Sequence, residues 1–331
     1  MTPSRLLTFL AIVECGSAKA AAGRLSVTES AVSASLAALH REVGVTLFER
    51  SGRGLRLIED GSVFADYARR IVGLMDESVE AARQGVSAER GRLRLGAVTT
   101  AGEYLVPGLL ASFRRGYPDV DVTLEVGVRD HILSLLADHQ LDVVIAGRPL
   151  PGLALVTRAT RANSLIVVAA ATARTDLRTT TWLLREGGSG TRDATLALLE
   201  SLQIDPPMLA LGSHGAVVAS AVLGLGLTVV STDAVAHHLR AGDLRRVSVR
   251  GTPLNRPWHA LTSAAPTATT RLFIAHLSDP AAAGDLVFAP RRPARAAKGA
   301  VARAGGDSGQ RVGAFTRTPA PAGEATRLPS A

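Results

Sequence analysis

Ser17-Ala18-Lys19-Ala20-Ala21-Ala22-Gly23-Arg24-Leu25-Ser26-Val27-Thr28-Glu29-Ser30-Ala31-Val32-Ser33-Ala34-Ser35-Leu36 is the stretch whose reading decides the fold. Ser17 and Thr28 each stand where a hydroxyl can cap a helix start. Ala20, Ala21 and Leu25 give the first helix a slim packing face that lets another helix come close. Val32, Leu36, Leu39 and Val43 line the inner side of the second, and Gly44 sits where a C-terminal glycine belongs. Upstream, Leu6, Phe9, Leu10 and Val13 repeat at the spacing of one buried helical face, predicting a helix over 4–14. Downstream, Leu47-Phe48-Glu49 and Leu55-Arg56-Leu57 flank Ser51-Gly52-Arg53-Gly54, which predicts a hairpin with a glycine-containing loop. Helix, tight turn, helix and basic hairpin form the layout of a winged helix-turn-helix, whose second helix enters a DNA major groove.

The outer face of that second helix carries Glu29, Ser30, Ser33, Ala34 and Ala37, small enough to press into a groove. The expected DNA-facing set is Ser17, Thr28, Glu29, Ser30, Ser33 and Ser35, with Arg50, Arg53 and Arg56 on the phosphate backbone or in a minor groove. The bland alternative for the three arginines is a solvated basic loop.

The segment 59–89 predicts a long helix joining this head to the rest. Phe64, Ala68, Ile71, Met75, Ser78 and Ala82 repeat at 4-3-4-3-4, a heptad seam. One helix cannot bury such a seam alone, so it predicts dimerisation through Phe64, Ala68, Ile71 and Met75, or else packing against the same chain.

At Arg92 the regime changes, and strand-like and helix-like segments alternate to about residue 279. Alternation predicts an α/β domain with mainly parallel sheets. Two similar series of elements predict two lobes with a cleft between them: lobe I over 92–162 plus 264–279, lobe II over 163–263. From 280 to 331, Ala, Pro, Gly and Arg dominate without an apolar period. That predicts a disordered basic tail, in which Leu286-Val287-Phe288 can dock locally.

Gly187-Gly188-Ser189-Gly190-Thr191-Arg192 lies between a predicted strand and a predicted helix. Backbone amides at such a helix start can cradle an anion, with Ser189, Thr191 and Arg192 as further donors. Thr99 and Thr100, at the end of the first strand, face the same cleft from the other lobe, and Ser213 and His214 occupy another strand-to-helix turn. These seven residues are the expected binding site for a small anionic molecule; a capped turn without ligand is the alternative.

The bulk properties fit. The chain has 331 residues, is 47% hydrophobic and carries a formal net charge of +8. Much of the basic excess sits after residue 280, while acids and bases cancel over 1–90, so the local Arg50–Arg53–Arg56 cluster says more than the total. One cysteine, Cys15, permits no internal disulfide. No uncharged apolar run is long enough for a bilayer, and the start lacks a signal-peptide pattern, so the expectation is a cytoplasmic protein with no membrane partner.

Enzyme chemistry finds no support. The glycine loop lacks the lysine of a P-loop and the last glycine of G-x-S-x-G, and Gly224-Leu225-Gly226 follows a helix. His237-His238 and the other histidines lack a metal-ligand spacing. No cofactor and no metal is expected.

These residues resemble the LysR-type transcriptional regulators over roughly 4–279. The resemblance is carried by Phe9-Leu10-Ala11-Ile12-Val13-Glu14-Cys15-Gly16-Ser17, Ala21-Ala22-Gly23-Arg24-Leu25, Ser30-Ala31-Val32-Ser33, Gly44-Val45-Thr46-Leu47-Phe48-Glu49-Arg50 and Gly61. It implies a winged helix-turn-helix, a linker helix that pairs subunits and a two-lobed effector domain similar to periplasmic binding proteins. It also implies a homodimer or homotetramer that bends double-stranded promoter DNA, responds to a small-molecule inducer and acts on RNA polymerase indirectly. Within the family, 96–107, 185–192 and 256–259 resemble the branch regulating carbon fixation and sulfur or nitrogen assimilation. The chain departs from the pattern at Glu29, often Gln, at Ala34, often basic, and at Ile58, normally a capping threonine. The segment 172–181 is shorter than usual, and His214 and Gly215 stand where the branch presents Asn and Glu. The runner-up is a solute-binding protein whose DNA-binding head has lost function.

Overall fold

The computed structural model describes residues 1–52, 54–84, 87–149 and 152–291. Three helices open the chain: α1 (Pro3–Cys15), α2 (Ala18–Leu25) and α3 (Glu29–Val43). Their ends are set by the anticipated residues. Ser17 Oγ accepts from the Ala20 amide and Thr28 Oγ1 from the Ala31 amide, both at 3.2 Å. Gly16 and Gly44 close α1 and α3 in the left-handed conformation that glycine adopts without strain. Strands β1 (Phe48–Ser51) and β2 (Gly54–Leu57) pair antiparallel as the wing, with Glu49 opposite Arg56. Leu6, Phe9, Ile12, Val32, Leu39 and Leu47 fill the core under all of these elements.

α4 (Glu59–Gln84) is one helix of 26 residues. Its expected dimerisation seam is corrected by the structure. Phe64, Ala68 and Ile71 turn inward and pack on the helix-turn-helix core, Phe64 edge-on to Phe9 with ring centroids 5.0 Å apart. The head needs an apolar lid, and the first half of the seam supplies it. The apolar surface left outside is Val63, Tyr67, Leu74, Met75 and Val79, each 41–60% exposed, so only Met75 of the four expected residues lies on it.

The rest of the described chain builds two lobes. Its elements run β3 (Arg92–Val98), α5 (Thr99–Tyr104), α6 (Val106–Gly116), β4 (Asp121–Gly127), α7 (Arg129–Ala137), β5 (Val143–Ala146) and β6 (Val156–Arg161). The chain then crosses into β7 (Ser164–Ala170), β8 (Trp182–Leu184), α8 (Gly190–Leu202), β9 (Met208–Ala210) and α9 (His214–Val222). There follow β10 (Thr228–Ser231), α10 (Thr232–Ala241), β11 (Leu244–Val247) and β12 (Leu254–Asn255). It returns through β13 (Trp258–Thr262), α11 (Ala268–Leu277), α12 (Pro280–Ala283) and β14 (Ala289–Pro290). α5 and α6 are separate helices, because Pro107 has no amide hydrogen to continue the ladder from α5.

Lobe I is a six-stranded sheet in the order β14-β6-β13-β5-β3-β4. β3 runs parallel to β4 and β5, whereas β13 is antiparallel to β5 and β6. Lobe II centres on β7, antiparallel to β10, β11 and β12. The sheets are thus mixed rather than mainly parallel. β7 reads as a continuous apolar run because both its faces are covered: Leu165, Val167 and Ala169 meet one core, Ile166 and Val168 another.

Two boundaries move. β13 belongs to lobe I, so lobe II ends near residue 257, before the expected 263. A strand's lobe depends on which neighbours it pairs with, and its own apolar pattern is silent on that. Residues 280–290, expected to begin a disordered tail, form α12, a short 3-10 turn and β14, which pairs with β6. Phe288 is fully buried and holds this segment down. Residues 292–331 lie outside the described residues.

Candidate functional site

The first candidate surface is the outer side of α3 with the wing. Glu29, Ser30, Ser33 and Ala34 are exposed on α3, and Ser35 is half-buried. Thr28 is exposed too, but its hydroxyl is engaged, capping α3 and lying 3.0 Å from Ser30 Oγ. Ser17 is half-buried and serves as the α2 cap. Arg50 is exposed on β1, and Arg56 pairs with Glu49 across the hairpin. Arg53 lies outside the described residues. A face of short hydroxyls flanked by arginines can approach base edges closely while the guanidiniums reach phosphates.

The second is the cleft between the lobes. A cavity of about 280 Å³ opens there, where the C-terminal ends of β3, β4 and β5 meet the start of α8. Thr99 and Thr100 line it just after β3, Gly127, Val128 and Arg129 at and after the end of β4, Gly147 and Arg148 just after β5, and Ser189, Gly190 and Thr191 from lobe II. Strand ends converge at such a place because the loops leaving parallel strands all emerge on one side. Thr99 Oγ1 donates to the Gly127 carbonyl at 3.2 Å, while buried Ser189 makes no cap bond to α8. Gly188 is left-handed (φ 76°), a turn that glycine makes without strain, and a Cβ on Gly190 would lie 3.2 Å from Arg129 Nη1, so Gly190 lets Arg129 pass closely over the loop.

Four arginines reach this cavity: Arg129, Arg148, Arg185 and Arg256. Two are neutralised. Arg129 Nη2 donates to Asp193 Oδ2 across the lobes at 2.8 Å, and its Nε to Asp130 at 3.1 Å. Arg185, only 4% exposed, makes a two-pronged pair with Glu186. Burial pushes the Glu186 carboxyl up, but hydrogen bonds from Arg185 and from its own backbone amide, with the Arg185 charge, outweigh this and hold it below the usual range. Arg148 and Arg256 have no acidic partner among the described residues. The cleft therefore presents net positive charge. Trp258 supplies an apolar wall, oriented by its Nε1 donating to Asp233 at 3.0 Å.

The crossings between lobes are tied to each other. Asn163 Nδ2 donates to the Arg256 carbonyl at 2.9 Å and accepts at Oδ1 from Ser231 Oγ at 2.6 Å. The Arg256 amide donates back to the Asn163 carbonyl at 3.0 Å. This fixes Arg256 at the cavity edge.

Four of the seven expected cleft residues line the cavity: Thr99, Thr100, Ser189 and Thr191. Arg192 does not; its Nη1 donates to the Arg185 carbonyl at 2.8 Å and braces the loop. Ser213 caps α9 through the Ala216 amide. His214, expected among the ligand contacts, does not line the cavity either: it is only 2% exposed, with its ring 5.4 Å from that of Tyr104 on the other lobe. Burial, then the Arg185 charge, lower its pKa to about 4, so it is neutral. Arg129, Arg148 and Arg256 were missed. Each follows a strand, and no local pattern marks a loop arginine as cleft-facing. The structure also gathers His237, His238 and Asp243, with donor atoms within 4.8 Å of one another. A hydrogen bond between His238 Nδ1 and Asp243 Oδ2 at 3.0 Å, at the end of α10, accounts for two of the three.

Comparison with known proteins closes the question of kinship. Residues 3–62 match the model for bacterial regulatory helix-turn-helix proteins of the lysR family, and 87–282 match the LysR substrate binding domain. The chain is 31% identical over 269 residues to the HTH-type transcriptional regulator CfxR of Cupriavidus necator, covering 78% of this chain and 84% of that one. It is 32% identical over 253 residues to the regulator CbbR of Rhodospirillum rubrum, covering 73% and 83%. The fold matches full-length OxyR of Pseudomonas aeruginosa (TM-score 0.61, 22% identity, 83% and 93% covered). It also matches full-length CbnR complexed with its target DNA (TM-score 0.57, 23% identity, 83% and 98% covered). The CcmR regulatory domain of Synechocystis, in complex with 2-PG, is 26% identical at a TM-score of 0.52, covering 56% of this chain and 94% of that domain. With both family models matched and a convergent site of loop residues in place, this chain belongs to the LysR family of transcriptional regulators.

Proposed function

We propose that this regulator binds double-stranded promoter DNA through the outer face of α3 and the wing, and that an anionic metabolite in the interlobe cleft sets its arrangement on that DNA. The observation that carries the ligand class is the pair of guanidiniums, Arg148 and Arg256, without an acidic partner among the described residues, at a cavity edged by the hydroxyls of Thr99, Thr100, Ser189 and Thr191. Two cations with hydroxyl donors suit a phosphate or carboxylate group. The cavity, about 280 Å³, suits a small metabolite. That the related CcmR domain holds 2-PG supports the same class, as does the resemblance to the carbon-fixation and sulfur-assimilation branch.

On the DNA side, Ser30 and Ser33 face base edges, Glu29 accepts from a cytosine amino group, and Arg50, Arg53 and Arg56 hold phosphates. The protein acts as a homodimer or homotetramer in which the stripe Val63–Tyr67–Leu74–Met75–Val79 of α4 is covered by a second copy. It acts on RNA polymerase indirectly. No helix among the described residues is long and apolar enough to cross a membrane, and we place the protein in the cytoplasm.

The test is selection of genomic fragments by the full-length protein at physiological salt. Enrichment of an inverted repeat, with a mobility shift altered by 2-PG or another small anion, is the expected result. A folded, oligomeric protein that enriches no site overturns the DNA-binding half. A panel of phosphorylated and carboxylated metabolites that leaves the melting temperature unmoved overturns the ligand half.

A further inference from the structure

One helix touches both the cleft and the linker. α7 begins at Arg129, directly after Gly127 and Val128 of the cavity wall. Its nine residues span about 13 Å at the rise of an α-helix. Its inner face, Ile132, Leu133 and Leu136, is buried in lobe I against Leu141, Val144 and Leu261. Close packing of this kind leaves a short helix no freedom to bend, so a push at one end reaches the other.

The far end of α7 is pressed against the middle of α4. After Ala137 the chain turns through Asp138 and His139, and His139 is left-handed (φ 57°), a conformation that costs a branched or bulky side chain energy. The turn is held by the Asp138 amide donating to Ser134 at 2.9 Å and the Gln140 amide to Leu135 at 2.9 Å. Arg70, Gly73 and Glu77 recur on one face of α4 and meet it there. A Cβ on Gly73 would lie 2.2 Å from the Asp138 carbonyl oxygen, so the two backbones touch. Glu77 Oε2 lies 2.5 Å from His139 Nδ1, and Arg70 Nε donates to Asp138 Oδ1 at 3.4 Å. All but Arg70 are largely buried in the contact, with Glu77 16% and Asp138 15% exposed.

We propose that the Arg70–Gly73–Glu77 face of α4 and the Asp138–His139 turn form an intramolecular latch, and that α7 carries the state of the cleft to it. The first half of α4 is packed into the head through Phe64, Ala68 and Ile71, so head and helix move together. At the cleft, the strut is gripped by the Arg129–Asp193 pair, which joins the lobes. Anything that changes the spacing of the lobes changes that pair, shifts the start of α7, and loads or releases the latch. The inference rests on the cleft being the effector site, but its mechanical part stands without any ligand.

A cycle of variants in the full-length protein, read by amide hydrogen exchange over 70–80, tests it. Glu77→Gln and His139→Asn each keep the local shape, since Asn tolerates the left-handed conformation, and each removes the charged contact. Either is expected to speed exchange there about tenfold, the equivalent of losing one charge-assisted hydrogen bond. Asp193→Asn, which breaks the pair of α8 with Arg129 at the other end of α7, is expected to speed the same amides several-fold. Combined with Glu77→Gln it adds nothing, because the latch is already open. Strictly additive effects, or an Asp193→Asn variant that leaves 70–80 untouched, overturn the proposal. Gly73→Ala extends the series where the other variants fold normally, with the same expected gain in exchange. Failure of the metabolite panel leaves this cycle interpretable, so the two readings fail separately.

Discussion

The α3 face and the interlobe cleft are both binding surfaces, yet they are built in opposite ways. The α3 face comes from one short segment. Its capping hydroxyls, its inner apolar stripe and its exposed serines are set by helical periodicity alone. The cleft comes from loops after β3, β4, β5 and β8 together with the crossing at Arg256, and none of them forms a site by itself. The helix face is nearly uncommitted, its exposed Ser33 making no hydrogen bond among the described residues. The cleft is crowded with engaged groups: Arg129 with Asp193, Arg185 with Glu186, Arg192 with a carbonyl. A locally encoded surface is free to be altered without cost to the fold, whereas a convergent one is coupled to stability.

The largest expected effect tests that freedom. Ser33→Glu puts a carboxylate where a small hydroxyl faces the groove, and specific DNA affinity is expected to fall at least about 100-fold. Fluorescence anisotropy with a selected operator measures the loss, and light scattering is expected to show an unchanged oligomer. Retained affinity would break the assignment of this face.

The cleft is where pH should act on stability. The folded pKa of His214, about 4, lies below its ordinary value of 6.5. Between those two values the unfolded chain binds a proton that the folded chain does not, so stability falls as pH falls through that window and levels off below it. Near pH 4 the loss attributable to this group reaches about 3 kcal/mol. Urea denaturation at pH 7 and pH 4 should show a smaller difference for His214→Asn than for the parent chain. Equal differences would mean that the ring is hydrated in solution.

Next comes the ligand charge. Arg148→Ala and Arg256→Ala are each expected to weaken anion binding about tenfold or more, the value of a charged hydrogen bond. DNA affinity without ligand should stay unchanged in the same variants. Calorimetry with 2-PG, or with whichever anion the metabolite panel selects, decides it. Equal loss of DNA affinity would mean that the cleft and the helix face are less separate than their construction suggests.

The smallest effect belongs to the wing. Arg56 already pairs with Glu49 in solvent, a contact of little net worth. Arg56→Ala is expected to weaken DNA binding only a few-fold and to reduce the slope of log affinity against log salt by about one. An unchanged salt slope would remove Arg56 from the phosphate contacts.

How much could be read beforehand follows the same division. Wherever a feature repeats within a dozen residues, the sequence determined it: the caps Ser17 and Thr28, the hairpin of the wing, the alternation of strands and helices from β3 onward, and the serine face of α3. Periodicity and capping are local physics and need no partner to be known. Only the tertiary structure decided which side of α4 serves the head and which is left outside, because Phe64 and Tyr67 differ in what packs on them. It also decided that β13 joins lobe I, that residues 280–290 form α12 and a strand paired with β6, and that Arg129, Arg148 and Arg256 converge on one cavity. Those outcomes depend on contacts between segments scores of residues apart, and side-chain burial at such contacts leaves no periodic mark in the chain itself.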